Sequence, residues 1–523
     1  MTQTDIVLST LNARYIHSSL GLRYLKANLE ELEERACLLE FEIKRPTLEI
    51  VEKLLERDPQ IIALGVYIWN VRETQAVIEA IRKLKPEIVV VLGGPEVSYE
   101  TKDQAIVQLS DYVIQGEGDF AFRDLARQIL NDQAPANKII AAGYVDVTRL
   151  KLPYRLYTDE DIAHRVIYVE ASRGCPFTCE FCLSSMDIPV RTFDLDSLLQ
   201  EFEQLMKRGV TQFKFVDRTF NLSIKASQTI LHFFQERYFP GMFLHFELIP
   251  DRLPKTLREI IANFPAGALQ FEVGIQTFNP DVADLIKRRQ NYQKLEENLH
   301  YLRENTEVHI HADLIAGLPG ESIKSFAKGF DQLVKLRPQE IQLGILKRLK
   351  GTPIVRHDQR WQMRYHETAP FELLSNKDIS FSQMMQIRRT ARTWDLIINN
   401  GNFHTTAPML WKNGSAFFAT WDFSHWLFQK TGSMGGIALT RLQAFLFEYL
   451  TEIKSCPHKE VAQSLIQDYR HTGHYDTPPF LRKWINEPTE VEAIHLQTHA
   501  AEPSSPKRQQ RHHPPSFVNT NEN

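Results

Sequence analysis

Three cysteines crowd one short loop, Arg173-Gly174-Cys175-Pro176-Phe177-Thr178-Cys179-Glu180-Phe181-Cys182. Gly174 and Pro176 bend its entry, and with three and then two residues between them the thiols can point at one centre. Three donors are one short of a closed zinc site, and iron–sulfur clusters are usually held by four thiolates. A [4Fe–4S] cube gripped by three would leave one iron open to a small molecule; a zinc knuckle is the competing reading. The other two cysteines stand apart. Cys37 lies in the apolar run 36–41 and reads as a buried strand residue, and Cys456, beside Pro457 and His458, as an ordinary thiol.

The loop follows a β-branched run at 166–170, which reads as the first strand of a domain. Strand patterns recur at 168–171, 213–216, 243–248, 270–274, 309–315 and 341–346, with helical stretches at 195–207, 226–235, 294–304 and 323–336 between them. Six such units predict a partial (β/α)6 barrel, whose reactive groups sit at the carboxyl ends of the strands. Polar residues stand at those ends: Asp217 after the second strand, Glu247 on the third, Glu272, Gly274 and Gln276 on the fourth, and Asp313, Gly317 and Glu321 on and after the fifth. Each has a plain alternative as a barrel-mouth ion pair with Arg218, Arg288 or Arg289. His309 and His311, alternating around Ile310, read as satisfied structural histidines.

Residues 1–150 alternate strand runs at 5–11, 37–43, 61–66, 88–92 and 112–115 with helical runs at 20–32, 48–55 and 72–84. This predicts a doubly wound α/β domain with a five-stranded parallel sheet, and a hairpin or strand at 138–147 leading to a linker. Ligands of such sheets bind beyond the carboxyl ends of the strands. Four loops there are built for close backbone approach: the stretch through His17, Ser18 and Gly21; Gly65-Val66-Tyr67-Ile68-Trp69-Asn70; Gly93-Gly94-Pro95-Glu96; and Gly116-Glu117-Gly118-Asp119. Trp69 and Tyr67 read as core aromatics or as a surface for a flat ligand.

The cysteine spacing, with Phe181 just before the last cysteine, resembles the radical S-adenosylmethionine (SAM) superfamily. That resemblance implies a [4Fe–4S] cluster on Cys175, Cys179 and Cys182, with SAM chelating the open iron and giving a 5′-deoxyadenosyl radical on reduction. It further implies SAM contacts from Phe181, Asp217, Glu247, Gly274, Gln276, Asp313 and Gly317. The preceding loops, taken together and in order, resemble the cobalamin-binding domain of B12-dependent radical SAM proteins. This implies cobalamin contacts from His17, Ser18, Gly65, Tyr67, Gly93, Gly94, Pro95, Glu96, Gly116, Glu117 and Gly118. Better-known cobalamin domains carry Asp-x-His-x-x-Gly; here Tyr15 and Leu20 stand at the matching positions around His17, so axial ligation by His17 is not expected. Residues 351–499, helical and aromatic, resemble the C-terminal DUF4080 region of one subgroup of these proteins.

Acidic and basic residues nearly balance, 65 against 61, so no global field selects nucleic acid or an anionic membrane. Five cysteines make no disulfide framework, the N-terminus lacks a signal-peptide pattern, and no apolar run approaches the ~20 residues of a bilayer span. A cytoplasmic chain is expected, with a small-molecule substrate and an electron donor such as flavodoxin or ferredoxin. Residues 500–523 read as a polar, disordered tail. The resemblance implies methyl transfer to an unactivated centre, with ring formation or rearrangement as the alternative. A cobalamin or redox sensor without turnover is the third reading, and it lacks an obvious output module. Methylthiolation is disfavoured, because the N-terminal half has no second cysteine set for an auxiliary cluster.

Overall fold

Runs of β-branched and aliphatic residues, buried on both sides, build the first sheet. Its strands are β1 (Ile6–Asn12), β2 (Ala36–Glu42), β3 (Ile61–Gly65), β4 (Val89–Gly93), β5 (Tyr112–Gly116) and β6 (Ile139–Gly143). They run parallel in the order β2-β1-β3-β4-β5-β6. Alternate residues of each strand enter separate apolar layers, Val7 and Leu11 with Ile78 and Ile81 in one, Ile6 and Leu8 with Phe122 and Leu125 in the other. The chain leaves β1 for β2 on one side and reaches β3 on the other. The strand order therefore reverses at β1/β3, where such sheets open a ligand crevice.

The sheet has six strands where the sequence predicts five. β6 is an edge strand with alternating exposed residues, too little buried to announce itself as more than a hairpin or strand on the way to a linker. The predicted helix at 20–32 stops at Ala27 and resumes as a 3₁₀ turn over Glu30–Arg35, because Glu30 adopts a left-handed φ of 53°.

The computed structural model describes residues 4–186, 189–412, 414–474, 476–484, 509 and 511–512. The chain divides into two units. One comprises Met1–Phe220, Lys347–Asp358 and Tyr365–Leu373; the other comprises Asn221–Leu346, Gln359–Arg364 and Leu374–Asn523. Beyond the first sheet, the first unit contains β7 (Ile167–Val169) and an antiparallel ribbon of β8 (Ser172–Arg173) with β9 (Arg191–Thr192). The helix Leu195–Lys207 follows, then β10 (Gln212–Phe215), parallel to β7.

In the second unit, β11 (Phe243–Leu248), β12 (Leu269–Gln276), β13 (His309–Ala316) and β14 (Glu340–Ile345) pair in parallel and in succession. The predicted strands match these and β7 and β10 to within two residues at nearly every end, which gives the six parallel strands of the predicted barrel type. One face of β11–β13 is apolar and buried through Phe246, Phe271, Val273, Ile310 and Ala312; the residues alternating with them are His245, Glu247, Glu272, His311 and Asp313.

Helices Phe381–Trp394, Ala416–Thr431, Leu439–Glu448 and His458–His471 close around Phe423, Leu427, Tyr449 and Leu465. The tail aromatics are thus largely core. The helix Phe381–Trp394 runs on into a wide turn, Asp395–Asn399, which brings the Asn399 amide onto Ile341: its Oδ1 accepts from the backbone N–H at 3.0 Å and its Nδ2 donates to the carbonyl at 2.9 Å. Of the tail from residue 500, only Gln509, Arg511 and His512 are among the described residues; the Arg511 carbonyl lies 2.9 Å from His404 Nε2 and 2.8 Å from His471 Nε2. No described helix is long and apolar enough to cross a membrane.

Candidate cofactor sites

The cysteine loop hangs from the short ribbon of β8 and β9. Gly174, at a φ of 95°, turns the chain out of β8, and the Cys182 N–H bonds the Cys179 carbonyl at 3.1 Å to coil the loop back on itself. Cys175 and Cys179 are buried, Cys182 and Phe181 half-buried, and all five cysteines are free thiols. Burial pushes the Cys175 thiol up, the Phe177 backbone N–H and the Thr219 hydroxyl oppose the shift, and the neighbouring Cys182 and Cys179 add to it. Among the described residues no group of three His, Cys, Asp or Glu could hold a single metal ion. An all-sulfur trio on one loop fits a cluster, in which each thiolate takes a different iron.

Between the ligands, Glu180 is fully buried. Its carboxylate pairs with Arg356 and lies 2.8 Å from His357 Nε2, and its carbonyl accepts from the Ile354 N–H at 2.9 Å. Asp217 accepts from the Ala171 N–H at 2.9 Å and the Ser172 hydroxyl at 2.6 Å, so it holds the turn into β8. Burial raises its carboxyl to about 6, against the hydrogen bonds that stabilise the anion.

A cavity of about 620 Å³ opens at the carboxyl ends of β1, β3, β4 and β5. His17, Ser18, Gly65, Tyr67, Gly93, Gly94, Gly116, Glu117 and Gly118 line it; Pro95 and Glu96 do not. Two of its glycines are dictated by space. Gly94 has a φ of 107° and a Cβ there would lie 2.5 Å from the Val66 carbonyl oxygen; Gly116 has a φ of 88° and its Cβ would lie 3.0 Å from that of Gly143. Tyr67 and Trp69 stack 4.5 Å apart and within 6° of parallel, with Trp69 46% exposed.

Asn70, wholly buried, ties this rim together. Its Oδ1 accepts from the Tyr67 N–H at 2.8 Å, and its Nδ2 donates to the Leu11 carbonyl at 3.0 Å and the Gly65 carbonyl at 3.1 Å. Nothing in the sequence singled it out beyond its place in a turn. His17 Nδ1 lies 2.7 Å from the Tyr168 hydroxyl, and burial lowers the imidazole's affinity for a proton, with Lys214 and Arg14 acting the same way.

Both acidic side chains that the resemblance implies for cobalamin are already engaged. Glu117 Oε2 accepts from Arg191 Nη1 at 2.5 Å and from the Val145 N–H at 2.6 Å, and Oε1 accepts from Arg191 Nη2 at 2.8 Å. Glu96, 4% exposed, pairs with Lys350; burial raises its carboxyl despite that partner.

In the second unit, Glu247 stands in register with Glu272, Glu272 with His311, and Gly274 with Asp313. Burial holds the Asp313 carboxyl well above the usual range, with Glu272 and Glu247 adding repulsion. The register slips between Gly274 and Gln276, and Gln276 takes a left-handed φ of 72°. Its Oε1 is buried without a hydrogen-bond partner, and a Cβ at Gly274 would lie 2.5 Å from its Nε2. Gln276 thus combines a left-handed backbone with a buried amide oxygen that no neighbour satisfies. Gly317, at a φ of 90°, accepts at its carbonyl from Asn376 Nδ2 at 3.1 Å.

Three family models match the chain in order: the B12 binding domain over residues 6–126, the Radical SAM superfamily over 169–333, and DUF4080, a protein of unknown function, over 359–511. The chain is a B12-binding radical SAM protein with a DUF4080 region. It is 26% identical over 326 residues to 2-(S-pantetheinyl)-carbapenam-3-carboxylate methyltransferase of Streptantibioticus cattleyicolor, covering 53% of this chain and 45% of that one. It is 25% identical over 372 residues to the cobalamin-dependent radical SAM methyltransferase TokK of Streptomyces tokunonensis, covering 62% and 52%. The chain thus spans about half the length of these curated relatives.

Among solved structures, the cobalamin-dependent S-adenosylmethionine radical enzyme OxsB superposes with a TM-score of 0.61 at 12% identity, over 92% of this chain and 84% of OxsB. The radical S-adenosylmethionine methyltransferase TsrM of Kitasatospora setae superposes at 0.56 and 19% identity, over 67% and 75%. At these identities the likeness is one of fold.

Proposed function

We propose that this radical SAM protein cleaves SAM reductively at a [4Fe–4S] cluster held by Cys175, Cys179 and Cys182. It uses cobalamin seated in the glycine-loop cavity for methyl transfer to an unactivated centre of a small molecule. One observation carries this reading: the cavity is lined not only by the glycine loops but by Tyr168, Glu170 and Arg173, from the strand and turn that lead directly into the cysteine loop. When bound, the cluster would supply the electron that cleaves the sulfonium, and cobalamin the methyl carrier.

The chain's own groups have positioning roles. Gly94 and Gly116 shape the rim, and the Tyr67–Trp69 stack offers a flat face to a corrin. His17, held by the Tyr168 hydroxyl, would wall the cavity without serving as a metal ligand, as the missing Asp-x-His-x-x-Gly context implies. Asp217 orients the turn into the cysteine loop, and we assign SAM contacts to Phe181, Glu247, Gly274, Gln276, Asp313 and Gly317. A flavodoxin or ferredoxin in the cytoplasm would serve as reductant.

A second reading keeps both cofactors and ends in ring formation or rearrangement. The deciding experiment is anaerobic reconstitution with iron, sulfide and hydroxocobalamin, then reduction with SAM carrying a labelled methyl in the presence of a small-molecule cell extract as the source of acceptor. The proposed enzyme forms 5′-deoxyadenosine and places label in a product, and Cys179→Ala abolishes both. Cleavage without label transfer selects the second reading; a colourless or zinc-only protein rejects both.

A further inference from the structure

The engagement of Glu96 and Glu117 is part of a larger pattern, since the cations that take them sit on the segments that carry or brace the cysteines. Arg173 and Arg191 face each other across the ribbon of β8 and β9, at the root of the cysteine loop. Arg191 grips Glu117 through two nitrogens, also donating to the Val145 carbonyl at 2.9 Å. Arg173 donates to Asp119 at 2.9 Å and to Glu170 at 3.0 Å, and lies 4.5 Å over the Tyr24 ring. Both arginine side chains are nearly buried, 13% and 14% exposed, as are Asp119 at 6% and Glu117 at 17%. These are not surface pairs that solvent screens to nothing; bidentate guanidinium–carboxylate contacts in such surroundings fix geometry as well as energy.

A second connection runs through the segment Lys347–Asp358. Its Lys350 takes Glu96 and its Arg348 pairs with Glu100 at 3.1 Å, and the Gly351 N–H bonds the same Glu100 carboxylate at 3.2 Å. A few residues on, Arg356 and His357 take Glu180, which stands between the ligating cysteines. The loop after β4 and the loop after β5 are therefore each linked to the cysteine loop, one through this strap and one through the root of the ribbon.

We propose that Arg191 and Arg173, with the Lys347–Asp358 strap, are positioning residues that make the cavity rim and the cysteine loop one mechanical unit. Filling the cavity then holds iron on the cysteines. This rests on the cofactor assignment above. Coupling of this kind is reciprocal, so iron loading also tightens cobalamin binding by the same factor. A lysine at 191 would keep the charge and lose the two-pronged grip, so Arg191→Lys falls between the parent protein and Arg191→Gln.

The test measures how fast a ferrous chelator strips iron from the anaerobically reconstituted protein, with and without hydroxocobalamin. In the parent protein hydroxocobalamin slows release. In Arg191→Gln release is about tenfold faster, the scale of one charge-assisted pair, and hydroxocobalamin no longer slows it. The exchanged pair Glu117→Arg with Arg191→Glu regains part of the protection. Parent-like release from Arg191→Gln, or an undiminished effect of hydroxocobalamin on it, overturns the clamp.

A parent protein that binds no iron or no cobalamin counts against the proposed function, and the clamp is then read on the apoprotein by amide hydrogen exchange. Arg191→Gln accelerates exchange in both 174–182 and 112–118 if the clamp exists. Acceleration confined to one of these segments overturns it.

Discussion

Glu321 shows what burial does to one side chain that the proposed chemistry leaves out. It is 1% exposed; Oε1 accepts from the Thr277 hydroxyl at 2.9 Å and Oε2 has no hydrogen-bond partner. Burial raises its carboxyl to about 7 against the help of Thr277 and Ser325. The unfolded chain titrates this group near 4.5, so between the two values the folded protein binds more protons and stability falls as pH rises, levelling above 7. Glu321→Gln removes the ionisation while keeping an acceptor for Thr277. The variant should match the parent near pH 4 and exceed it by about 3 kcal/mol near pH 8, read by denaturant titration at both. Equal stability at the higher pH would mean that the carboxylate finds solvation on ionising.

Residue types alone marked the cysteine trio, because thiols at that spacing have few structural uses. They did not reveal the partners of Asp217, Glu96 and Glu117. A carboxylate beside a glycine reads the same whether it faces a ligand, a backbone N–H or an arginine 74 positions along the chain, as Glu117 does.

At the scale of elements, the strand ends rather than the strands carry the cavity, and the loop after β4 separates two kinds of glycine. A Cβ at Gly93 meets nothing within 4 Å, whereas one at Gly94 would press on the Val66 carbonyl from a φ of 107°. Gly94→Ala should therefore lower stability by about 1–3 kcal/mol from the left-handed backbone and the contact together. Gly93→Ala should leave the melting temperature unchanged and weaken hydroxocobalamin binding, as read by visible titration, because its new methyl points into open space on the cavity rim. A Gly93→Ala protein with parental affinity would remove that residue from the binding surface.

The strands themselves were legible in the sequence. In the first sheet the inner strands are runs of aliphatic residues covered on both faces, as in β1, where all seven residues are buried, and β12 and β13 alternate apolar with polar residues. The ribbon of β8 and β9 was not. Strands of two residues show no periodicity, and their pairing is set by Asp217 and by arginines whose partners are distant in sequence.

For the whole molecule, the first unit extends well past the residues matched by the B12 binding domain, and buried charge explains why. Arg23, 3% exposed at its side chain, pairs with Glu40 at 2.8 Å and with Asp161 at 2.8 Å, and its guanidinium lies 4.5 Å over the Tyr157 ring. Arg165 closes the group, 3.1 Å from Glu40 and 3.5 Å from Asp161. Two members of this knot come from before residue 150 and two from after it. Removing partners from a buried ionic group is costly, about 3–5 kcal/mol, because a charge is left without compensation. A fragment ending at residue 150 should therefore be digested by trypsin under conditions in which a fragment ending at residue 220 survives. In the full-length chain, Asp161→Asn should lower the unfolding free energy by a comparable amount, read by denaturant titration, since Arg23 loses one of its two carboxylates. If the shorter fragment resisted protease as well as the longer one, the α/β sheet would be self-sufficient and the knot a contact of little consequence.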